Sequence, residues 1–225
     1  MSNLWKSESA DDWERVFAKY DEVCASLEGN LQELEKWYQN ELPALVQQQG
    51  HITQPQLSKL MQWKLSKGKW RPRLQSFVDG LPKKDVQDLS RKAFAACKKK
   101  AYKEAITEIS SLKGVGPATA SAVIAAFDPT VPFMGDEALN ALSGVIGARQ
   151  YTLPHFMRFL DALQAKAKVL SSSNEAWTAQ RVQLCLWLEV ALSSSSPASK
   201  KKRPASKSAS TATETSTKRA RKSNV

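Results

Sequence analysis

Two glycines around one valine, Gly114-Val115-Gly116, are the residues of this chain best suited to holding a ligand. Glycine enters left-handed backbone freely and leaves no Cβ between the main chain and whatever approaches it. Amide N–H groups in such a turn, just ahead of a helix start at Pro117, converge on a space that suits one phosphate oxygen. Lys113, Gly114, Val115, Gly116 and Thr119 are therefore the candidate contacts to a phosphodiester backbone. Ile109 and Leu112 before the glycines, and Ala120, Val123 and Ile124 after them, predict two short helices packed across a tight hairpin over residues 109–124. A plain helical corner would use the same glycines and bind nothing.

A second stretch carries chemistry of a related kind. Between Trp63 and Arg73 the chain interleaves five cations, Lys64, Lys67, Lys69, Arg71 and Arg73, with two indoles, Trp63 and Trp70. Cations neutralise phosphates, and an indole stacks on an unpaired base. Trp63 is in step with Leu60 and reads as a core anchor; Trp70, in the loop after Gly68, serves either as a core anchor or as a stacking surface. Trp5, Trp13, Trp37, Trp177 and Trp187 read as packing residues.

Charge is distributed in blocks. The net charge of +11 divides into −6 over residues 1–50, +10 over 51–113, −1 over 114–192 and +8 over 193–225. The basic block thus leads straight into the glycines, as a phosphate-facing surface requires, although a solvated basic face would look the same. Three cysteines, Cys24, Cys97 and Cys185, lie far apart with no Cys-x-x-Cys, and His51 and His155 are the only histidines. That set predicts neither a disulfide framework nor a metal cage, and no cofactor. No apolar run is long enough to span a membrane, and Met1 to Ala10 holds no secretory signal.

The elements that must position these residues read as helices throughout. Trp13, Val16, Phe17, Tyr20, Val23 and Leu27 form one apolar stripe, and Leu31 to Leu45 a second, with Pro43 kinking or ending it. Thr53 ahead of Gln54-Pro55 is an N-cap, its helix running to Gly68, and Pro72 starts the next. Further helices are predicted over 83–98, 101–112, 117–127, 136–146, 153–169 and 176–192. The expectation is an all-α domain over residues 1–192, followed by a disordered Ser/Lys-rich tail over 193–225. Within that tail, Lys200-Lys201-Lys202-Arg203 and Lys218-Arg219-Ala220-Arg221-Lys222 resemble nuclear localisation signals, which predicts a nuclear protein engaged by an import receptor. A basic tail that merely adds non-specific nucleic-acid affinity is the plainer reading.

The glycine hairpin resembles the helix-hairpin-helix, and together with the segment after it resembles the core of the endonuclease III superfamily of DNA glycosylases. Leu112, Gly114, Val115, Gly116, Thr119 and Ala120 match that family's hairpin, and Asp136, twenty-two residues after Gly114, falls where its catalytic aspartate stands. The likeness covers about thirty residues, 109 to 142; elsewhere the chain is only compatible with it. It implies a helical glycosylase-like fold, DNA or RNA as partner, a monomer, and base-excision repair. It also implies that Asp136 stabilises oxocarbenium character at C1′ and orients or deprotonates the attacking water after the base leaves the stack. Plain helix capping is the competing role for Asp136. The chain departs from the family in three places. Ala118 stands where the strand-nicking branch has its Schiff-base lysine, so only hydrolytic base removal is implied. The four-cysteine iron–sulfur loop is missing, Cys185 being alone in that region. Gly135 and Glu137 flank Asp136, and Glu137 either adds charge beside the carboxylate or points into solvent. A non-enzymatic nucleic-acid-binding module with the same fold is the alternative function, and a scaffold whose acidic first fifty residues bind a basic partner is a third.

Overall fold

The computed structural model describes residues 2–171 and 176–195. Among them every regular element is helical: α1 Asn3–Lys6, α2 Ala10–Phe17, α3 Tyr20–Ala25, α4 Leu31–Lys36, α5 Leu42–Gln49, α6 Gln54–Lys67, α7 Pro72–Asp79, α8 Lys83–Lys98, α9 Tyr102–Ser110, α10 Pro117–Phe127, α11 Asp136–Ala141, α12 Ser143–Ile146, α13 Leu153–Leu170 and α14 Ala179–Ser195. The fold is all-α. Both basic clusters of the tail, Lys200 to Arg203 and Lys218 to Lys222, lie outside the described residues.

Helix α10 is the centre of the molecule. Every residue from Ala118 to Phe127 is buried, so this helix is apolar on all sides, as only an internal helix can be. Helices α5, α6, α8, α9 and α13 pack around it. Its small side chains bring these neighbours close, and Phe127 at its end stacks on Phe94 at 4.1 Å between ring centroids. The N-terminus of α10 is the end that meets the glycine turn.

Helix α6 starts as its sequence dictates. Thr53 Oγ1 accepts from the Gln56 N–H, and the Gln56 side chain accepts from the Thr53 N–H at 2.8 Å, a reciprocal cap that satisfies two otherwise unpaired donors. Leu57, Leu60, Met61, Trp63 and Leu65 then face the core. The α6 helix ends at Gly68, and the exposed loop Lys69–Arg71 carries the chain to α7.

Four predicted elements differ. The first apolar stripe breaks at Ala18–Lys19 into α2 and α3, because Val23 joins a small cluster with Leu184, Trp187 and Leu188 of α14 while Trp13 enters the main core. Pro43 neither kinks nor ends its helix. A π-helical turn, Trp37–Glu41, precedes it, so that Leu42 N–H reaches the Trp37 carbonyl and Pro43 falls in the first turn of α5. The single helix predicted over 136–146 is two, divided at Leu142. The last helix begins at Ala179, where the Thr178 hydroxyl accepts from Arg181 N–H, and continues past Leu192 to Ser195.

Candidate functional site

The turn between α9 and α10 is closed by its own backbone. Val115 N–H donates to the Leu112 carbonyl at 3.0 Å, and the Gly116 carbonyl accepts from Thr119 and Ala120 at 3.0 and 2.9 Å. Gly114 stands at φ +85°, and a Cβ there would come within 2.7 Å of Phe77 Cβ on α7. This glycine is required twice, by conformation and by contact. Gly114→Ala is accordingly expected to cost about 1–3 kcal/mol of folding stability, read as a shift of the urea midpoint at constant slope. Gly116 is different: its backbone is extended (φ −102°, ψ 179°), and an added Cβ would meet nothing within 4 Å. Nothing inside the protein requires a glycine at 116. What its missing side chain does is leave the turn's outer face open.

That outer face is made of amides. Among the described residues, the N–H groups of Gly114, Gly116 and Ala118 donate to no protein acceptor, and Pro117 has none to donate. They sit at the N-terminal end of an eleven-residue helix, where the backbone dipole adds positive potential. The turn forms one wall of a cleft of about 390 Å³, within the range of small-ligand sites. Lys64, Lys67, Gly68, Lys69 and Arg71 line the same cleft, as do Thr119, Phe133, Met134, Asp136, Glu137 and Tyr151.

Asp136 is the first residue of α11, and Gly135 occupies the N-cap with no side-chain cap hydrogen bond. The expected capping role is therefore not the one seen. Instead the half-buried carboxylate turns to a loop the sequence does not mark. Tyr151 Oη donates to Oδ1 at 2.6 Å, and Arg149 Nη1 lies 3.0 Å from Oδ2. Burial, together with the bond to Asp136 and its charge, pushes the Tyr151 hydroxyl up to about 12, so it remains a donor. Across the cleft, burial pulls the Lys64 ammonium below its ordinary value; the charge of Asp136 opposes that pull, and Arg71 adds to it.

The link from Val131 to Gly135 is clamped from two sides. Phe133 N–H donates to Gln180 of α14 at 2.8 Å, and Met134 N–H to the buried Ser121 hydroxyl of α10 at 2.9 Å. A Cβ on Gly135 would meet the end of the Gln183 side chain at 2.9 Å and the Phe133 ring at 3.2 Å, so a larger residue directly before Asp136 would require both to shift. Trp63 buttresses Phe133 from behind at 5.0 Å, itself stacked on Tyr38 at 3.7 Å.

Several sequence-predicted contacts are placed elsewhere. Lys67 is not a free phosphate ligand: its ammonium is 2.8 Å from the buried Glu35 carboxylate and 3.4 Å from the centre of the Trp187 ring. Trp63 is 1% exposed and belongs to the core, whereas Trp70 is 52% exposed and stands outside the cleft lining. The aromatic wall is instead Phe133 and Tyr151. Val115 spends its amide within the turn and buries its side chain. Lys113 and Arg73 lean over the Phe77 ring, at 4.6 and 5.5 Å, and neither lines the cleft. Lys64, Lys69, Arg71, Gly114, Gly116, Thr119 and Asp136 do come together. Arg149, Tyr151, Ser121 and Gln180 are the additions.

No known protein family, curated protein or solved structure matches this chain. The three cysteines are buried free thiols, and no cluster of metal-ligating side chains forms among the described residues.

Proposed function

We propose that this protein binds the DNA backbone through a helix-hairpin-helix turn at residues 109–124 and removes a base by hydrolysis, as a monofunctional glycosylase-like repair protein. One observation carries the reading: the Asp136 carboxylate, the unpaired amides of Gly114 and Gly116 and the cations Lys64, Lys69 and Arg71 all face one cleft. The amides and cations suit a phosphodiester, which is a polyanion with regularly spaced oxygens. The cleft suits an extruded base, with Phe133 and Tyr151 as its aromatic surfaces. Asp136 would stand beside C1′, where a carboxylate offsets the positive charge that builds as the glycosidic bond lengthens, and would orient the attacking water. Arg149 and Tyr151 hold the carboxylate in one position, so it is organised before substrate arrives.

The same two contacts favour the second reading, a binding module without catalysis. A carboxylate already engaged by a guanidinium and a phenol has part of its charge spent. In either case the basic clusters of the tail would direct the protein to the nucleus through an import receptor, and the working unit is a monomer on DNA, with RNA as the competing nucleic acid.

Duplexes carrying alkylated, oxidised, deaminated and mismatched bases, scored for abasic product, separate the two readings. Release of any one base supports catalysis, and silence across the set with retained affinity supports the module. Binding itself is tested at Gly116. Gly116→Val should lower the thermal midpoint by no more than the poorer N-cap it makes, since its Cβ meets nothing within 4 Å, while lowering duplex affinity at least about tenfold at 0.1 M salt. Unchanged affinity would remove the turn from the interface.

A further inference from the structure

Glu137 belongs to two cavities at once. It lines the cleft beside Asp136, and it also lines a second cavity of about 710 Å³ bounded by Ser2, Asn140, Glu189 and Ser193. Asn140 and Ser193 are exposed, so that second space is open to water. The carboxyl group thus connects a compartment where a reaction would be shielded with one that exchanges protons freely. No second carboxylate is needed for phosphate binding, and one that faced phosphates would repel them.

Its burial keeps the proton on against most of the charges around it. Burial pushes the Glu137 carboxyl above the usual carboxylate range; its own backbone amide, Lys67 and Arg149 oppose this, and Asp136 reinforces it. Lys67, whose charge favours the ionised form of Glu137, is committed to Glu35 at 2.8 Å. Lys64 faces it across the cleft and Glu189 across the second cavity. Two adjacent carboxyls in unlike surroundings, one engaged by Arg149 and Tyr151 and the other desolvated, is the arrangement that divides acid from base.

We propose that Glu137 is the general acid of the cleft, delivering a proton to the departing base and recovering it from water in the second cavity. The proposal rests on the glycosidic reading of the cleft. In the step, water oxygen bonds to C1′ as the C1′–N bond breaks, and the bonding pair leaves with the base. The Glu137 proton moves to the base nitrogen. The proton shed by the attacking water passes to the Asp136 carboxylate and then to solvent, and Glu137 is reprotonated from the second cavity. The substrate class this chemistry selects is a neutral base, which leaves as an anion unless it is protonated.

Single-turnover release by the full chain tests this on two duplexes, one carrying 7-methylguanine, already cationic and needing no acid, the other the neutral base that the wild type removes fastest. Glu137→Gln should slow the neutral base about 100-fold and 7-methylguanine less than about threefold, with duplex affinity unchanged. Glu137→Asp, which keeps an acid, should restore part of the loss. The wild-type rate on the neutral base should fall as pH rises through the Glu137 titration, and Glu137→Gln should lack that limb. A Glu137→Gln rate within about twofold of wild type on the neutral base, an equal loss on both duplexes, or a wild type confined to cationic bases overturns the proposal and leaves the glycosidic reading standing. A wild type that releases nothing overturns both.

Discussion

Asp136→Asn is expected to lower base release by about 10²–10³-fold while leaving duplex affinity within about threefold of wild type. The two side chains have the same shape, so the amide oxygen still accepts from Tyr151, and only the charge is removed. In the ground state that charge faces Arg149 in a pair whose side chains are 38% and 46% exposed, a surface arrangement worth about 1 kcal/mol or less. Folding should hardly change. In the transition state the same charge would face a sugar carbon turning cationic in a cleft from which water is displaced, and there it is worth several times more. The difference between those two environments is the predicted effect. Single-turnover assays for abasic product, with anisotropy for affinity, read the two quantities separately. A fall in affinity equal to the fall in rate would make Asp136 a binding residue; equal rates in both proteins would move the chemistry to another group.

The parts of this site legible in the sequence are those set by neighbours along the chain. Gly114 is required by a local dihedral, Thr53 and Gln56 cap each other within one turn, and Pro72 and Pro117 each open a helix because their missing N–H costs nothing there. Asp136 is marked only through the resemblance, which expects an aspartate about that far beyond the hairpin. The features that sequence conceals are decided by residues far away. Lys67 looks like one cation among five, but Glu35, thirty-two positions earlier, takes its charge. Helical phase with Leu60 marks Trp63 as core, but not the Tyr38 and Phe133 rings it packs between. Arg149 and Tyr151 are two residues of an ordinary loop until α11 carries Asp136 to them. Ser121 and Gln180 fix the link through single hydrogen bonds to its backbone, and neither has a neighbour in sequence to mark it. The division of one predicted helix at Leu142 is announced only by Ser143-Gly144, two poor helix formers directly after it.

The Glu35–Lys67 pair yields the largest expected change in stability, and it stands at the edge of the site, where Lys67 lines the cleft. Glu35 is fully buried and accepts from Trp63 Nε1 at 2.6 Å, Lys67 Nζ at 2.8 Å and Gln39 Nε2 at 3.0 Å. Burial by itself would push this carboxyl up; the charge and hydrogen bond of Lys67, with those of Trp63 and Gln39, more than offset it and hold the group below its ordinary value. Lys67→Met leaves a buried carboxylate without a countercharge and should cost about 3–5 kcal/mol at neutral pH. Adding Glu35→Gln, which still accepts from the Trp63 indole, should recover most of that loss. The two proteins should also respond oppositely to acid. In the wild type Glu35 titrates lower folded than unfolded, so its contribution is complete above the ordinary carboxylate value and is lost as pH falls through the folded one. In Lys67→Met the folded group titrates high, so acidification protonates it and returns stability. Urea midpoints of wild type and Lys67→Met should therefore lie closer together at pH 4 than at pH 7, and an equal gap at both would show that the pair carries no such energy. Because Lys67 also anchors the end of α6 against Trp187, the variant should loosen the Lys69–Arg71 loop and weaken duplex binding, although the lysine's own charge is taken up by Glu35.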